Sequence, residues 1–330
     1  MQKLRWGVLS TAKIGREKVI PALQASQHNQ VIAICSRDEQ SARAAADKLQ
    51  IERAYGHYHE LLADPDVDAI YNPLPNHLHV DWSIRALEAG KHVLCEKPLG
   101  MNTEDAQRLV DAAKAHPHLK VMEAFMYRFH PQWQLAKKLI DEGRIGKLRT
   151  VHSVFCYNNR DSDNIRNRID MGGGALLDIG CYSISLSRLL FGQEPDQVMG
   201  HITPMPGEEV DCLTSGILEF RDGTATFSVA TKLESMQRVE ASGEAGSLIL
   251  ERPFYNDSGE PTQKIRITCN RVVEEIEVPD HNHYGAMGDA FAQSVFNNTP
   301  VPTPLDDAIA NMRTIDAIFE SAAEGRWIEV

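Results

Sequence analysis

From residue 4 to about 124, short apolar runs alternate with amphipathic helical stretches, and that alternation leaves few folds open. "LRWGVLS", "QVIAICS", "RAYG", "DAIYNPLP", "HVLCEKP" and "KVMEAFMYR" read as strands. A helical stretch over 16–26, "EQSARAAADKL", "YHELLADPDV", "HLHVDWSIRALEAG" and "TEDAQRLVDAAKAH" separate them. Gly90 follows "IRALEA" as a helix stop, and Thr103 precedes "EDAQRLV" as a cap. Repeated strand–helix–strand units build a parallel sheet covered on both faces.

The pattern changes after "PQWQLAKKLIDEGRIG". From Lys147 the chain carries longer β-rich segments, including "KLRTVHSVFCY", "LTSGILEFRDGTATFSVATKL", "RVEASGEAGSLILERP" and "QKIRITCNRVVEEIEV". "RDG" and "GEAG" are hairpin-type turns. One helix pattern, "GALLDIGCYSISLSRLLFG", interrupts this half, and two more close it. The predicted fold class is therefore α/β followed by α+β. Residues 1–125 are expected to form a Rossmann-type parallel α/β domain, and residues 126–330 an α+β domain on a large, mostly antiparallel open sheet.

Composition narrows the partners. The 330 residues are 42% hydrophobic and 24% charged, enough apolar content for full cores. A net charge of −12 argues against nucleic acid and against anionic membrane surfaces. No uninterrupted apolar run is expected to span a bilayer, and "MQKLRWGVLS" enters a strand without a signal-peptide layout, so a cytoplasmic protein is expected. Cys35, Cys95, Cys156, Cys181, Cys212 and Cys269 contain no C-x-x-C pair and are expected to be buried, reduced thiols.

The loop after the first strand is a departure from the usual dinucleotide fingerprint. G-x-G-x-x-G would occupy Ser10, Thr11, Ala12, Lys13, Ile14 and Gly15, yet only the last is glycine. Gly15 can serve helix–strand packing, Ala12 adds only a methyl beside the phosphates, and Ser10 can accept a turn conformation at modest cost. Taken alone, this loop fits a nucleotide site and a plain strand–turn–helix equally well. The second strand adds weight. It ends in Ser36 and Arg37, where an NAD enzyme places an acid for the ribose diol. A hydroxyl and a guanidinium suit a 2′-phosphate better, and Asp38 is expected to point into the next helix.

The order "GVLSTAKIG", "SR", "YNPLPNHLH", "GKHVLCEKPLG", "MEAFMYRFHP" and "GGGALLDIGCY" resembles the glucose–fructose oxidoreductase/inositol dehydrogenase (Gfo/Idh/MocA) family. The resemblance is close from residue 4 to about 190. It is most similar to the branch holding dimeric dihydrodiol dehydrogenase and the NADP-dependent xylose dehydrogenases, which often lacks the first two loop glycines. It implies that Lys97, in Glu96-Lys97-Pro98, stands beside the nicotinamide and binds the reacting oxygen. It implies an acid–base role for Tyr182, where many members carry histidine. Asp178 lies four residues earlier, on the same helix face. A phenol near pKa 10 needs a lowering field to act near neutrality, and Lys97 is the expected source.

The remaining candidates surround these. Pro73, Asn76 and His77 are expected at the cofactor ribose and nicotinamide, with Pro73 and Pro75 stiffening the loop. Arg128 and Arg166 are candidate substrate contacts, and Gly172 to Gly174 would let the backbone pass close to a ligand. "HLH" and "HNH" lack nearby ligands for a three- or four-coordinate site, so no metal is expected.

The leading expectation is an NADP-dependent oxidoreductase acting on a carbohydrate or diol, xylose- or glucose-like at C1. Alternatives are a trans-dihydrodiol dehydrogenase, another sugar-alcohol or keto-sugar oxidoreductase, a nicotinamide-dependent glycosidase, and a non-catalytic NADP sensor. The alternating carboxy-terminal strands predict a large free apolar face, and with the family resemblance a homodimer or a tetramer of dimers.

Overall fold

The computed structural model describes residues 2–255 and 261–330. It divides into two compact units, 1–126 with 282–309 and 127–281 with 310–330. The first unit is therefore discontinuous. The sequence reading had placed everything after residue 125 in the second domain, whereas helix His283–Phe296 packs into the first. Its apolar face matches either core by pattern, and only the contacts decide. Phe291 lies 5.3 Å from Trp6 between ring centres, and Asp289 accepts a hydrogen bond from Asn29 at 2.8 Å.

Six parallel strands make the first sheet: β1 (Leu4–Leu9), β2 (Asn29–Cys35), β3 (Arg53–Tyr55), β4 (Ala69–Asn72), β5 (His92–Glu96) and β6 (Val121–Ala124). Their order is β3-β2-β1-β4-β5-β6. Strands β1 and β4 bury almost every side chain and β5 its central Val93–Cys95, as strands covered on both faces must. The strand order reverses between β1 and β4, and ligands of such sheets bind beyond the strand carboxyl ends at that point.

Nine strands make the second sheet: β7 (Leu148–Asn158), β8 (Gln197–Ile202), β9 (Leu213–Phe220), β10 (Gly223–Ala230), β11 (Lys232–Gly243), β12 (Gly246–Leu250), β13 (Thr262–Cys269), β14 (Val272–Pro279) and β15 (Ile328–Glu329). Their order is β14-β13-β12-β11-β7-β10-β9-β8-β15, and among the described residues β7 and β10 are the only neighbours that run parallel. Alternation puts Val151, Phe155, Leu218, Ala225, Phe227, Val239 and Ala241 on the face covered by helices of the same unit.

The opposite face departs from the predicted apolar surface. It carries Thr150, His152, Ser215, Thr226, Ser228, Arg238 and Glu240, with Ile217 and Met236 as exposed apolar members. His152 Nδ1 lies 2.6 Å from Thr226 Oγ1, and the Ser215 and Ser228 hydroxyls are 2.9 Å apart. Most apolar residues of segments such as "TSGILEF" belong to the covered face, which accounts for the difference. Segment Ile169–Phe191 passes for a membrane span by length and mean composition, with Asp170, Asp178 and Arg188 inside it. However, 89% of its most apolar window is buried inside the protein.

Candidate active site

At the end of β1 the chain turns through Ser10 with φ of 77°, a left-handed conformation that glycine usually supplies. Ser10 offsets the cost locally, because its Oγ accepts the Ala12 N–H at 3.2 Å. Thr11 and Ala12 are half-buried, Lys13 is exposed and Ile14 is half-buried. The Thr11 carbonyl accepts from Arg16 Nε at 2.8 Å, and Arg16 N–H reaches the Ala12 carbonyl at 3.0 Å to open the helix. A Cβ at Gly15 would meet Tyr71 at 3.5 Å and Pro73 at 3.8 Å, which is ordinary contact. Close packing therefore does not require a glycine at the third fingerprint position.

Ser36 follows β2, its N–H donating to the Tyr55 carbonyl at 3.1 Å and its Oγ accepting the Asp38 N–H at 3.3 Å. Arg37 is exposed. Asp38 turns away into helix Glu39–Leu49, accepting from Gln40 N–H at 3.3 Å and Ser41 N–H at 3.0 Å. Those bonds, led by the Ser41 hydroxyl, hold its carboxyl below the usual range. Burial raises the Tyr58 phenol, with the Arg37 charge acting against it, so Arg37 lies within electrostatic reach of helix Tyr58–Ala63.

The β4 and β5 loops are tied together by a histidine that the sequence reading expected to be structural and not a metal ligand. His79 is buried, with Nδ1 2.8 Å from the Pro98 carbonyl and Nε2 2.6 Å from the Leu74 carbonyl. Burial pushes it down to about 4, so the neutral ring donates to one carbonyl at a time. Asn72 anchors the same loop, donating to the His79 carbonyl and to Ser83 Oγ, each at 3.0 Å. Pro73 leads into this loop, and Asn76–Leu78 form a short 3₁₀ turn. His77 Nδ1 in that turn is buried and finds no hydrogen-bond partner among the described residues. At the end of β5, Glu96 Oε1 accepts from the fully buried Tyr71 hydroxyl at 2.7 Å. Lys97 follows, half-buried, joined to Pro98 by a cis peptide.

Ser10–Ile14, Ser36–Arg37, Pro73–His77 and Glu96–Lys97 thus share the carboxyl edge of one parallel sheet. A turn into a helix start, an exposed guanidinium beside a hydroxyl, and an unsatisfied imidazole nitrogen fit a phosphorylated dinucleotide. No cluster of three or more metal-ligating side chains occurs among the described residues.

In the second unit, Leu176–Gly180 form a wide helical turn that runs into helix Cys181–Phe191, carrying Asp178 and Tyr182. Two of the glycines ahead of it, Gly173 and Gly174, are required by the packing of the protein itself. A Cβ at Gly173 would stand 2.6 Å from the Arg166 carbonyl oxygen. One at Gly174, where φ is 118°, would stand 1.9 Å from Asp211 Oδ1. Asp211 starts the helix, its Oδ2 accepting from Leu176 N–H and from Thr214 Oγ1, both at 2.7 Å. Burial pushes its carboxyl up to about 6.

Three separately predicted residues meet here. Asp178 Oδ2 accepts from Arg166 Nε at 2.9 Å and from the Tyr157 hydroxyl at 2.6 Å. Asp178, first, raises the Arg166 guanidinium, and Tyr157 and Tyr182 act the same way, so Tyr182 belongs to this electrostatic cluster. The Tyr182 ring is held by Phe254 at 5.2 Å and by Tyr127 and Phe155 at 5.7 Å between centres. One turn further, Ser185 Oγ accepts from Arg128 Nη2 at 2.7 Å and lies 2.8 Å from the Tyr127 hydroxyl. Tyr157, Asp211 and the aromatic clamp were missed by sequence reasoning. Strand alternation puts Tyr157 on the face of Phe155, which was the one available signal.

Comparison with known proteins agrees with this architecture. The model described as "oxidoreductase family, NAD-binding Rossmann fold" matches residues 4–125, and the "GFO/IDH/MocA C-terminal domain" matches 133–249. The chain is 39% identical to a D-xylose 1-dehydrogenase (NADP(+)) 2 of Haloferax volcanii, over 99% of this chain and all of that one. It superposes on a 3-ketoreductase from Actinomadura kijaniata in complex with NADP and TDP-benzene with TM-score 0.91, at 32% identity, over 97% and 98% of the two chains. An aldose-aldose oxidoreductase from Caulobacter crescentus complexed with glycerol gives TM-score 0.92 at 26% identity, over 99% and 100%. The chain belongs to the Gfo/Idh/MocA family of oxidoreductases.

Proposed function

We propose that this oxidoreductase uses NADP to oxidise a cyclic aldose, xylose- or glucose-like, at C1 to the lactone. The observation that carries this reading is the end-to-end similarity to an NADP(+)-dependent D-xylose 1-dehydrogenase. Ser36 and Arg37 hold the 2′-phosphate, Ser10–Ile14 the pyrophosphate, and Pro73, Asn76, His77 and Glu96 line the ribose and nicotinamide side. When bound, the cofactor supplies the hydride acceptor. Tyr182 takes the anomeric hydroxyl proton at its phenol oxygen, and the Lys97 ammonium stabilises negative charge on the substrate oxygen. Asp178 accepts from a ring hydroxyl, and Arg128 contributes a cation on the substrate side.

The direct test is a panel of aldoses, trans-dihydrodiols and keto-sugars, with both nicotinamide cofactors, followed by NADPH absorbance. Aldose-dependent NADPH formation is expected, with NADP preferred over NAD. A trans-dihydrodiol with kcat/KM far above every aldose would replace the sugar reading. Cofactor binding without any turnover would indicate a sensor, and sugar cleavage without net NADPH a glycosidase. Keto-sugar reduction is a second reading, favoured by the likeness to the 3-ketoreductase, and NADPH consumption with a keto-sugar detects it.

The exposed face of the second sheet is proposed to pair with a second copy of the chain. Val154, Ile217 and Met236 supply its apolar members. Light scattering at micromolar concentration is expected to give a dimer or tetramer mass, and a strictly monomeric mass rejects it.

A further inference from the structure

Two donors of the second unit converge on one oxygen. Asp178 Oδ2 receives the Tyr157 hydroxyl from β7 and Arg166 Nε from the turn Ile165–Asn167. The donors come from different elements, and their acceptor lies one turn ahead of Tyr182 on the same helix. The Asp178 side chain is only 12% exposed, while that of Arg166 is 41% exposed. Burial, and then the Asp178 charge, raises the Tyr157 phenol far above its ordinary range, so it remains a proton donor in this bond.

The backbone of Arg166 is fixed as firmly as its side chain. Its N–H donates to Asn164 Oδ1 at 3.1 Å, and its carbonyl accepts the Gly174 N–H at 2.9 Å. Gly173 lies so close to that carbonyl that no side chain fits there. The glycine run thus locks the arginine loop against the helix start that Asp211 caps. A residue held at its N–H, its carbonyl and its Nε is suited to holding a neighbour, not to reaching for a ligand.

We propose that Arg166 and Tyr157 are positioning residues that act through Asp178, clamping one of its carboxylate oxygens and thereby setting how Asp178 and Tyr182 meet a sugar hydroxyl. This revises the expectation that Arg166 binds substrate directly, and it gives Tyr157 a role. It rests on the reading of Asp178 and Tyr182 as substrate-side groups. Charge-assisted bonds to a single oxygen fix the carboxylate plane, which a reaction requiring alignment needs in its transition state.

Two measurements test it. In steady-state kinetics on the best aldose, Arg166→Gln and Tyr157→Phe are expected to lower kcat on the order of 10- to 100-fold with little change in KM. Arg166→Lys should recover part of the loss. In an Asp178→Asn background, adding Arg166→Gln should cost nothing further, an epistasis that two independent structural defects would not give. A raised KM with parental kcat in Arg166→Gln makes Arg166 a substrate ligand and overturns the proposal.

The second measurement needs no substrate. In fluorotyrosine-labelled protein, the Tyr182 fluorine resonance is identified by its loss in Tyr182→Phe. It should move in Arg166→Gln, and move no further when Arg166→Gln is added to Asp178→Asn. A stationary resonance in Arg166→Gln rejects the clamp. If the parent oxidises no sugar, the function proposed above fails while this spectroscopic result still decides the inference. Tyr157→Phe removes a single oxygen, so it keeps the test valid should Arg166→Gln fold poorly.

Discussion

In the first unit, every expected cofactor contact comes from the carboxyl end of a parallel strand or from the loop that follows it. In the second, the expected substrate groups sit on the start of one helix and are held by side chains from β7, from the Arg166 turn and from Asp211. The former site is placed mainly by backbone topology, because the strand order alone assembles the four loops at one edge. The latter depends on individual side chains meeting across long sequence separations. Substitutions should therefore fail differently in the two units: loop changes should alter cofactor choice, and changes around the helix start should alter turnover or stability.

The largest effect expected is on turnover. Tyr182→Phe should lose about 10²–10⁴-fold in kcat while still binding NADP. Lys97→Ala, in the other unit, should lose at least as much. Near-parental kcat in either variant, measured on the best substrate, would remove that residue from the proton relay.

Arg37→Ala tests the loop side of the comparison. Loss of a charged hydrogen bond of about 1.5–3 kcal/mol corresponds to roughly a 10- to 100-fold rise in KM for NADP. KM for NAD should hardly move. Equal losses for both cofactors would place Arg37 on the adenine or on a purely structural duty.

Glycines sharpen the contrast. Gly174→Ala puts a methyl where the Asp211 carboxylate stands and forces alanine to a φ of 118°. The backbone strain alone costs about 1–3 kcal/mol, read as a lower melting temperature. Gly15→Ala meets only ordinary contacts and should leave stability unchanged or raise it by up to about 1 kcal/mol. The reverse ranking would show that the fingerprint glycine, and not the run at 172–174, is the sterically required one.

The smallest effect concerns pH. Burial raises the Asp211 carboxyl from an ordinary 3.8 to about 6 in the folded protein. The folded state then binds that proton more tightly than the unfolded chain does. The associated stability is present at low pH and is lost as pH rises between about 4 and 6. Asp211→Asn keeps an acceptor oxygen for Leu176 and removes the titration. Its melting temperature relative to the parent should rise by a few degrees between about pH 4 and pH 7. A constant difference across that range would mean that Asp211 does not titrate there.

Much of the first unit was legible because its signals are local. Apolar runs broken by helical periods predicted the parallel sheet, and Asp38 was expected to turn into its helix, where it serves as the N-cap. The second unit was legible in outline only. Arg166 and Asp178 stood out separately, but nothing in a sequence says that two residues 12 apart, divided by three glycines, share an oxygen with Tyr157. The sequence read those glycines as a ligand approach, and it could not say what occupies the space a side chain would take at Gly173 and Gly174. Here a carbonyl and a carboxylate fill it. His79 was read as a structural or surface histidine and not a metal ligand, and its partners are the carbonyls of Leu74 and Pro98, which the sequence could not name.

The return of helix His283–Phe296 to the first unit sets an order of events during synthesis. When residue 126 leaves the ribosome, all six strands of the parallel sheet exist, but Trp6 still lacks Phe291, and Ser26 and Asn29 still lack Asp289. More than 150 further residues, including nearly all of the nine-stranded sheet, are made before those partners arrive. The nascent amino-terminal half must therefore wait with an apolar flank uncovered. Gene fragments ending near residue 126 inherit the same defect permanently, so a cofactor-binding module cut at the apparent domain boundary is an incomplete one.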